Sequence, residues 1–416
     1  MPIVASGGQI ILQRSEVMKS FLFVIIVCFL SSLLLANPLF LGKWGVSGDS
    51  KGTFCYPAAC AIDSYGNVYV LDAGNNRIQK FSATGTFLLE WGGEGSENGQ
   101  FTFPLGIAID SQNKIYIADT QNARIQKFDT NGGFIAKWGE QGSDPGQMEN
   151  PQGIAVDSNG NIYVADSYNH RIQKFDANGT FVLQFGSEGS ENGQFQYPYA
   201  IAVDKNGYIY VSDTNNHRIQ KFHANGTFAS KWGTLGSAAG QFNMPYKMAF
   251  DRYNNVYVAD CENNRIQRFS SNGEFQVQFG GFGATDGKLY SVQGIGIGAS
   301  GRIYVADTGN DRVQHFTPTT ITLQNFTVNQ SYYQSKLSWT TTMEWNNTGF
   351  HVWRKGPGDS DYVRITTSLI TSQGTPTSGA SYTYTDNHPN YEETYLYKIE
   401  IVGYDDYRKL YGPATK

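Results

Sequence analysis

The sequence predicts an all-β protein in which a six-bladed β-propeller is followed by a smaller β-sandwich. Three observations predict this fold: a motif that recurs six times at a constant interval, four short strand patterns within each interval, and a change to a Thr-, Ser- and Tyr-rich composition after Phe316. The chain has 47 glycines and 14% aromatic residues, a composition typical of β-sheets joined by tight turns.

The motif is D-x-x-N-x-R-[IV]-Q-[KRH]-F, and successive copies are always 47 residues apart. Its aspartates are Asp72, Asp119, Asp166, Asp213, Asp260 and Asp307. Its arginines are Arg77, Arg124, Arg171, Arg218, Arg265 and Arg312. An enzyme needs one active site and not six copies of it, so we interpret these residues as structural. We expect each Asp to accept hydrogen bonds within its loop and each Arg to tie that loop to a neighbouring carboxylate or carbonyl.

Each repeat predicts four strands, as the third one illustrates. Its strand patterns cover residues 153–157, 161–165, 171–175 and 181–185, and the pair Asn178-Gly179 predicts a hairpin between the last two. Four antiparallel strands in a repeat of this length form one blade of a propeller.

An aromatic residue ends the fourth strand of each repeat, and its phase predicts how the ring closes. The residues are Trp44, Trp91, Trp138, Phe185, Trp232 and Phe279. The first of them precedes the first Asp motif, and none follows the last. We therefore expect residues 39–43 to form the outer strand of the sixth blade beside residues 313–316, which removes an open sheet edge.

The motif, preceded by N-x-Y-V-A-D and P-x-G-I-A-V-D, resembles the NHL repeat over about residues 38–317. The resemblance implies a six-bladed propeller that serves mainly as a binding platform. NHL proteins of eukaryotes often carry RING and B-box zinc modules as well. This sequence has no C-x-x-C cluster, so it gives no support for a ubiquitin-ligase role.

Binding residues are expected where the repeats differ. The recurrent proline is replaced by Val292 in the sixth repeat, and the residue after this position is Ala58, Leu105, Gln152, Tyr199, Tyr246 or Gln293. The next position is small except at Lys247. The position between Asn and Arg of the motif holds Asn76, Ala123, His170, His217, Asn264 or Asp311. We predict a binding site on blades three to five, at the mouth of the central channel, made of Gln152, His170, Tyr199, His217, Tyr246 and Lys247. Ordinary drift among exposed loop residues is the alternative interpretation.

No catalytic set, metal site or cofactor is predicted. A zinc site generally needs three or four ligands, and only His170 and His217 share a phase of the repeat, whereas His223 and His315 do not. Peptide-amidating lyases are related propellers that bind a metal through several histidines. This sequence has no matching set of histidines. The leading interpretation is a non-enzymatic binding protein. An exported lyase or hydrolase using blades three to five, and a structural component of the cell envelope, are the alternatives.

Residues 1–36 form an N-terminal extension whose apolar run, residues 21–35, follows Lys19 and predicts a signal peptide or a membrane anchor. We therefore expect the protein to be secreted or held at the cell surface. Its net charge of −5 disfavours nucleic-acid binding. The expected partner is a protein, a peptide or a glycan, with membrane contact only through an uncleaved anchor.

The cysteines and glycosylation motifs leave questions open. Cys28 lies in the predicted signal segment, so three cysteines, an odd number, remain in the rest of the chain: Cys55, Cys60 and Cys261. Cys55 and Cys60 could form a disulfide outside the cytoplasm or could serve as small buried residues. The motif N-x-S/T occurs at Asn178, Asn225, Asn325, Asn329 and Asn346.

Residues 37–317 are assigned to the propeller and residues 318–416 to the sandwich. The second segment predicts seven strands, over residues 320–328, 336–341, 349–355, 362–369, 381–386, 394–402 and 409–411. The sequences around Trp339, Trp353, Tyr395 and Tyr397 resemble a fibronectin type III domain. That resemblance implies a surface spacer or an adhesive module without catalytic residues.

Overall fold

The computed structural model describes residues 38–317, 323–331, 334–341, 347–374, 379–387, 395–403 and 408–414. The predicted signal segment, Asn346 and the first residues of the predicted sandwich lie outside the described residues. Within the described part of the chain, no helix is long and apolar enough to cross a membrane.

Strand β1 (Leu39–Trp44) precedes the six repeats. Blades one to three then consist of β2 (Pro57–Ile62), β3 (Val68–Asp72), β4 (Arg77–Phe81), β5 (Phe87–Gly92), β6 (Gly106–Ile109), β7 (Ile115–Asp119), β8 (Arg124–Phe128), β9 (Phe134–Trp138), β10 (Pro151–Val156), β11 (Ile162–Asp166), β12 (Arg171–Phe175) and β13 (Phe181–Phe185). Blades four to six consist of β14 (Pro198–Val203), β15 (Ile209–Asp213), β16 (Arg218–Phe222), β17 (Phe228–Trp232), β18 (Pro245–Phe250), β19 (Val256–Asp260), β20 (Arg265–Phe269), β21 (Phe275–Gly280), β22 (Gly294–Ile297), β23 (Ile303–Asp307) and β24 (Arg312–Thr317).

Every blade is a four-stranded antiparallel sheet, and its first strand is the innermost one. The second strand of each blade is buried along its whole length, because it lies between two strands and has a neighbouring blade on either face. The predicted strands of the third repeat agree with β10 to β13 to within two residues. The six-bladed all-β propeller is thereby confirmed.

The ring closes as the phase of the aromatic residues predicts. Strand β1 pairs with β24 in antiparallel register, with Lys43 opposite Gln314 and Trp44 opposite Val313. The indole of Trp44 also packs against Phe81 of blade one, with ring centroids 5.7 Å apart. The N-terminal strand therefore supplies both the outer edge of blade six and its packing against blade one.

Apolar clusters fill the spaces between blades. Trp138, at the end of β9 in blade two, lies between two aromatic rings. Its ring centroid is 6.2 Å from that of Phe175 in blade three and 6.3 Å from that of Tyr116 in blade two. The equivalent aromatic residues occupy the same place at the other blade junctions. Since each ring fills space between two sheets, its burial stabilises the ring of blades and leaves it little surface for a ligand.

The Asp and Arg of each motif form a buried network at the end of the second strand. Asp166 accepts hydrogen bonds from Arg171 Nε at 2.7 Å, from Gln173 Nε2 at 3.0 Å and from the backbone N–H of Glu149 at 2.7 Å. The other guanidinium nitrogens of Arg171 donate to the backbone carbonyls of Ser143, Asp144 and Gln147. The network thus ties the loop between the second and third strands to the loop that joins two blades. It recurs in all six blades.

The two sets of loops that this network joins lie on one side of the propeller, which we call the loop face. Short 3₁₀ turns follow the second strand in five of the blades: Ala73–Asn75, Thr120–Asn122, Ser167–Asn169, Thr214–Asn216 and Thr308–Asn310. Each ends in a residue with left-handed backbone, such as His170 with φ of 52°. The hairpin turns at Asn178 and Asn225, both exposed, lie between the third and fourth strands, at the other ends of those strands.

The segment after the propeller contains β25 (Leu323–Ser331), β26 (Gln334–Thr341), β27 (Asn347–Lys355), β28 (Val363–Arg364), β29 (Ile370–Thr371), β30 (Ser381–Asn387), β31 (Leu396–Gly403) and β32 (Arg408–Ala414). One sheet has the order β25-β26-β30, and the other has the order β28-β27-β31-β32 with β29 paired to β27. Trp339, Phe350, Tyr382 and Tyr397, drawn from both sheets, share one hydrophobic core. Two sheets around one core are compatible with a sandwich.

One predicted strand of this segment differs from the structure. Residues 362–369 do not form a continuous strand; only Val363 and Arg364 pair with β27, and Ile370 and Thr371 pair with it separately. Both residues of β28 are exposed, so no buried face holds this edge in one long register.

All three cysteines of the described chain are free thiols, so the suggested Cys55–Cys60 disulfide is not present. The Cys60 thiol is buried and donates to the Tyr304 carbonyl at 3.3 Å, whereas Cys55 is exposed. Burial raises the pKa of the Cys60 thiol to about 12, so Cys60 serves as a small core residue.

Candidate loop-face binding site

The first strands of the six blades surround a central channel of about 350 Å³. At the end of this channel on the loop face, the structure brings together four of the six predicted site residues: Gln152, Tyr199, Tyr246 and Lys247. A narrow groove of about 160 Å³ beside them is lined by Gln152, Tyr197, Tyr199, Met244 and Tyr246, among others.

Two tyrosines close one side of the channel mouth. The rings of Tyr199 and Tyr246 are stacked, with centroids 4.0 Å apart and planes 4° from parallel. The hydroxyl of Tyr199 donates to Gln293 Oε1 at 2.9 Å, and Gln293 Nε2 in turn bonds to the Tyr56 hydroxyl. These hydrogen bonds connect blade four to blades six and one. The side chains that form them therefore lie across the channel mouth.

A second bridge runs from blade five to blade three. Lys247 Nζ donates to the backbone carbonyl of Gln152 at 2.7 Å, and the ammonium lies 5.2 Å from the centroid of the Tyr199 ring. The side-chain amide of Gln152 donates to Asn150 Oδ1 at 2.8 Å. The amino group of Lys247 and the side-chain amide nitrogen of Gln152 are therefore hydrogen-bonded within the protein.

His170 and His217 lie on the loop face but serve the contact between blades. His170 Nδ1 accepts a hydrogen bond from the backbone N–H of Tyr197 at 3.3 Å, and His217 Nδ1 accepts one from Met244 at 3.1 Å. Partial burial lowers the pKa of the His217 imidazole, which keeps this nitrogen available as an acceptor. Asn76, Asn264 and Asp311 provide the same acceptor in their blades.

Ala123 interrupts this ring of acceptors and gives a testable prediction. It has left-handed backbone with φ of 50°, where Asn is favoured over Ala, and its methyl group cannot accept a bond from the next blade. We expect Ala123→Asn to stabilise the propeller by about 1 kcal/mol, through one additional hydrogen bond and a better backbone preference. Thermal unfolding followed by calorimetry measures this. Ala123→Ser, whose side chain is too short, is the matched control. An Asn variant no more stable than the Ser variant would contradict the prediction.

A set of residues that our sequence-based prediction omitted surrounds the mouth. The residue immediately before the recurrent proline, or before Val292 at that position in blade six, has left-handed backbone in every blade, with φ between 48° and 57°. The six are Tyr56, Phe103, Asn150, Tyr197, Met244 and Ser291. Bulky residues rarely adopt this conformation, and such strain concentrates at functional surfaces. Their variation at the same 47-residue interval is the sequence signal that could have indicated them.

These residues form aromatic clusters on the loop face. The ring of Tyr197 packs edge-on against two neighbouring rings. Its centroid lies 5.5 Å from that of Tyr168 and 4.6 Å from that of His170. Tyr56 packs against Phe103 with centroids 5.5 Å apart. Tyr168, Tyr197 and Tyr56 all remain exposed. Exposed aromatic side chains grouped around a groove are characteristic of protein and peptide recognition surfaces.

Groups suited to metal binding are dispersed. Among the residues that the structure describes, no three His, Cys, Asp or Glu side chains are close enough to hold a metal ion. The two loop-face histidines each use one ring nitrogen between blades.

Comparisons with known proteins agree with this architecture. The family model described as "NHL repeat" matches residues 54–81, 101–128, 149–175, 195–222, 242–269 and 289–316. A search of curated proteins gives no significant match.

Solved structures show the same fold at low sequence identity. A streptogramin B lyase is 16% identical with a TM-score of 0.50, over 68% of this chain and 98% of its own. A structural genomics protein of unknown function from Bacteroides thetaiotaomicron is 15% identical with a TM-score of 0.54, over 68% of this chain and 75% of its own. At these identities the likeness concerns the fold alone. The six matched segments, one in each blade, identify this chain as a six-bladed propeller built from NHL repeats.

Proposed function

We propose that this protein is a non-enzymatic binding platform that recognises a protein or peptide partner through the aromatic part of its loop face. The observation that carries the proposal is the set of residues with left-handed backbone around the channel mouth, which includes the exposed aromatic side chains of Tyr56 and Tyr197. Tyr197 also lines the groove. Tyrosine offers a large contact area with few rotatable bonds, which makes it a frequent anchor at interfaces.

The polar groups of the channel mouth favour binding over catalysis. Tyr199, Gln293 and Lys247 each bond to another part of the propeller, and His170 and His217 each hold a backbone N–H of the next blade. A general base or a metal ligand would have to give up such a bond before it could act. The lyase likeness supports the fold and gives no residue of this chain a catalytic role.

We also propose that the protein acts outside the cytoplasm, because the apolar run of residues 21–35 is typical of a signal peptide or a membrane anchor. We further propose that the C-terminal sheets form an accessory module of the fibronectin type III kind. The sequence resemblance and the two sheets that share one core around Trp339 support this proposal. In this arrangement the propeller recognises the partner and the C-terminal module acts as a spacer or an adhesive element.

A phage-displayed random peptide library tests the proposal. Peptides selected on the immobilised full chain are expected to lose about tenfold or more in affinity for Tyr197→Ser, since truncation of a central aromatic anchor typically costs that much. Tyr65→Ser, which removes a highly exposed tyrosine outside the loop face, is the matched control and is expected to bind the peptides normally. Selected peptides that bind Tyr197→Ser normally but not Tyr65→Ser would place recognition elsewhere.

A further inference from the structure

Lys247 stands where every other blade has a small residue. The equivalent positions hold Ala59, Gly106, Gly153, Ala200 and Gly294. The neighbouring strand explains this restriction: a Cβ atom added at Gly153 would lie 2.7 Å from the Tyr199 carbonyl oxygen, and one at Gly294 would lie 2.7 Å from Ala59 Cα. A lysine here conflicts with the regular geometry of the blade.

Blade five accommodates the lysine through an irregular first strand. In blades one, three and four the register shifts between the first and third residues of that strand, as between Pro151 and Gly153. In blade five the irregularity extends from Pro245 to Met248, so Lys247 has no regular partner on β19. Local departures of this kind are commonly retained next to binding sites, where they redirect a side chain.

The redirected side chain places a cation in the channel wall. Lys247 is only 9% exposed, its Nζ donates to the Gln152 carbonyl, and it lies above the face of Tyr199. Among the ion pairs of the described residues, none involves Lys247. A buried ammonium without a carboxylate is unfavourable, and a carbonyl and a ring face offset only part of that cost.

The surrounding space suits a small polar ligand. The channel of about 350 Å³ is bounded by the first strands of all six blades, with Lys247 in its wall. Because these strands are the innermost of their sheets, one edge of each has no neighbouring strand and turns its backbone N–H and C=O groups toward the channel. Such a wall can hydrogen-bond the polar atoms of a ligand, and a volume of this order lies within the range of small-molecule sites.

We propose that the central channel binds a small organic carboxylate, whose charged oxygens pair with Lys247 Nζ while the rest of the molecule lies along the innermost strands. This ligand is distinct from the partner of the loop face, and the two sites are separated by the bonds that bridge the mouth. The anion would supply the partner that the Lys247 ammonium lacks within the protein.

Butyrate and butyramide, similar in size and different in charge, test the proposal on the full chain. Saturation-transfer NMR is expected to show that butyrate binds and butyramide does not. Lys247→Met, which keeps the length of the side chain without its charge, is expected to weaken butyrate binding by about tenfold or more. Lys205→Met, at an exposed lysine of blade four, is the matched control. Equal binding of the two compounds, or unchanged butyrate binding by Lys247→Met, would overturn the proposal.

The pH dependence provides a test that needs no variant. Burial lowers the pKa of Lys247 to about 7, so the ammonium is present below that pH and is lost above it. Butyrate affinity is therefore expected to fall between about pH 6 and about pH 8, while butyrate itself stays ionised. Around the channel and its mouth, burial raises the pKa values of Tyr56, Tyr199, Tyr246, Cys60 and Cys261 above their ordinary values, so these groups do not titrate in this interval. An affinity that does not change across the interval would contradict pairing with Lys247.

Discussion

A chain that lacks residues 37–45 is expected to lose its monomeric propeller and to form oligomers. The deletion removes β1, so the outer edge of β24 loses its antiparallel partner from Thr317 to Val313. It also removes Trp44, whose ring packs against Phe81 of blade one and Tyr304 of blade six. An unpaired strand edge is a template for pairing with another chain, and loss of a large aromatic contact alone costs about 3–5 kcal/mol. Light scattering coupled to size-exclusion chromatography and calorimetry measure the two effects.

Two controls separate closure of the ring from secondary consequences of the deletion. Lys43→Ser keeps the strand and removes only the ion pair with Asp286, whose two side chains are exposed, so it is expected to change stability by less than about 1 kcal/mol. A synthetic peptide covering residues 37–45, added to the truncated chain, is expected to restore the monomer by pairing with β24. A truncated chain that remains monomeric with an unchanged unfolding temperature would refute the role assigned to β1.

The propeller could be predicted in detail because its determinants are local and repeated. Each strand has a neighbour in the same repeat, and the motif fixes the register of the second and third strands through the pairing of Asp166 with Arg171. The closing strand followed from the offset between Trp44 and Asp72, which needs only the order of features along the chain. The C-terminal segment lacks such repetition, and residues 362–369 were accordingly predicted as one strand where the structure has two short pairings.

The candidate site was only partly predictable, because its chemistry depends on contacts between distant blades. The position of Tyr199 at the channel mouth followed from its place after the proline, but its bond to Gln293, 94 residues away, did not. The histidines illustrate the same limit: their phase placed them on the loop face, and only the structure shows that Nδ1 of each accepts a backbone N–H of the next blade. The left-handed backbone of Tyr197 has no residue-type signal, since Tyr seldom adopts it.

Replacing Asp166 by alanine is expected to lower the free energy of unfolding of the propeller by about 3–5 kcal/mol, the usual result of removing one partner of a buried ion pair. The carboxylate is inaccessible to solvent, and the side chain of Arg171 is 8% exposed. Without Asp166, the Arg171 Nε, the Gln173 amide and the Glu149 N–H each lose an acceptor inside the protein. Denaturant unfolding followed by tryptophan fluorescence measures the loss. Asp144→Ala, at an exposed carboxylate in the adjoining loop, is the matched control and is expected to have little effect.

A double-mutant cycle shows whether this loss comes from the uncompensated arginine. In Asp166→Ala/Arg171→Met no guanidinium is left buried without its carboxylate, so the double variant is expected to be destabilised by clearly less than the sum of the two single variants. Strict additivity would mean that Asp166 acts through its bonds to Gln173, Asn169 and the Glu149 N–H, and not through Arg171. Because Arg171 also holds the carbonyls of Ser143, Asp144 and Gln147, the double variant is still expected to be less stable than the wild type. This result would show that the network anchors the loop that joins two blades. The six copies of the network would then fix the conformation of the loop face.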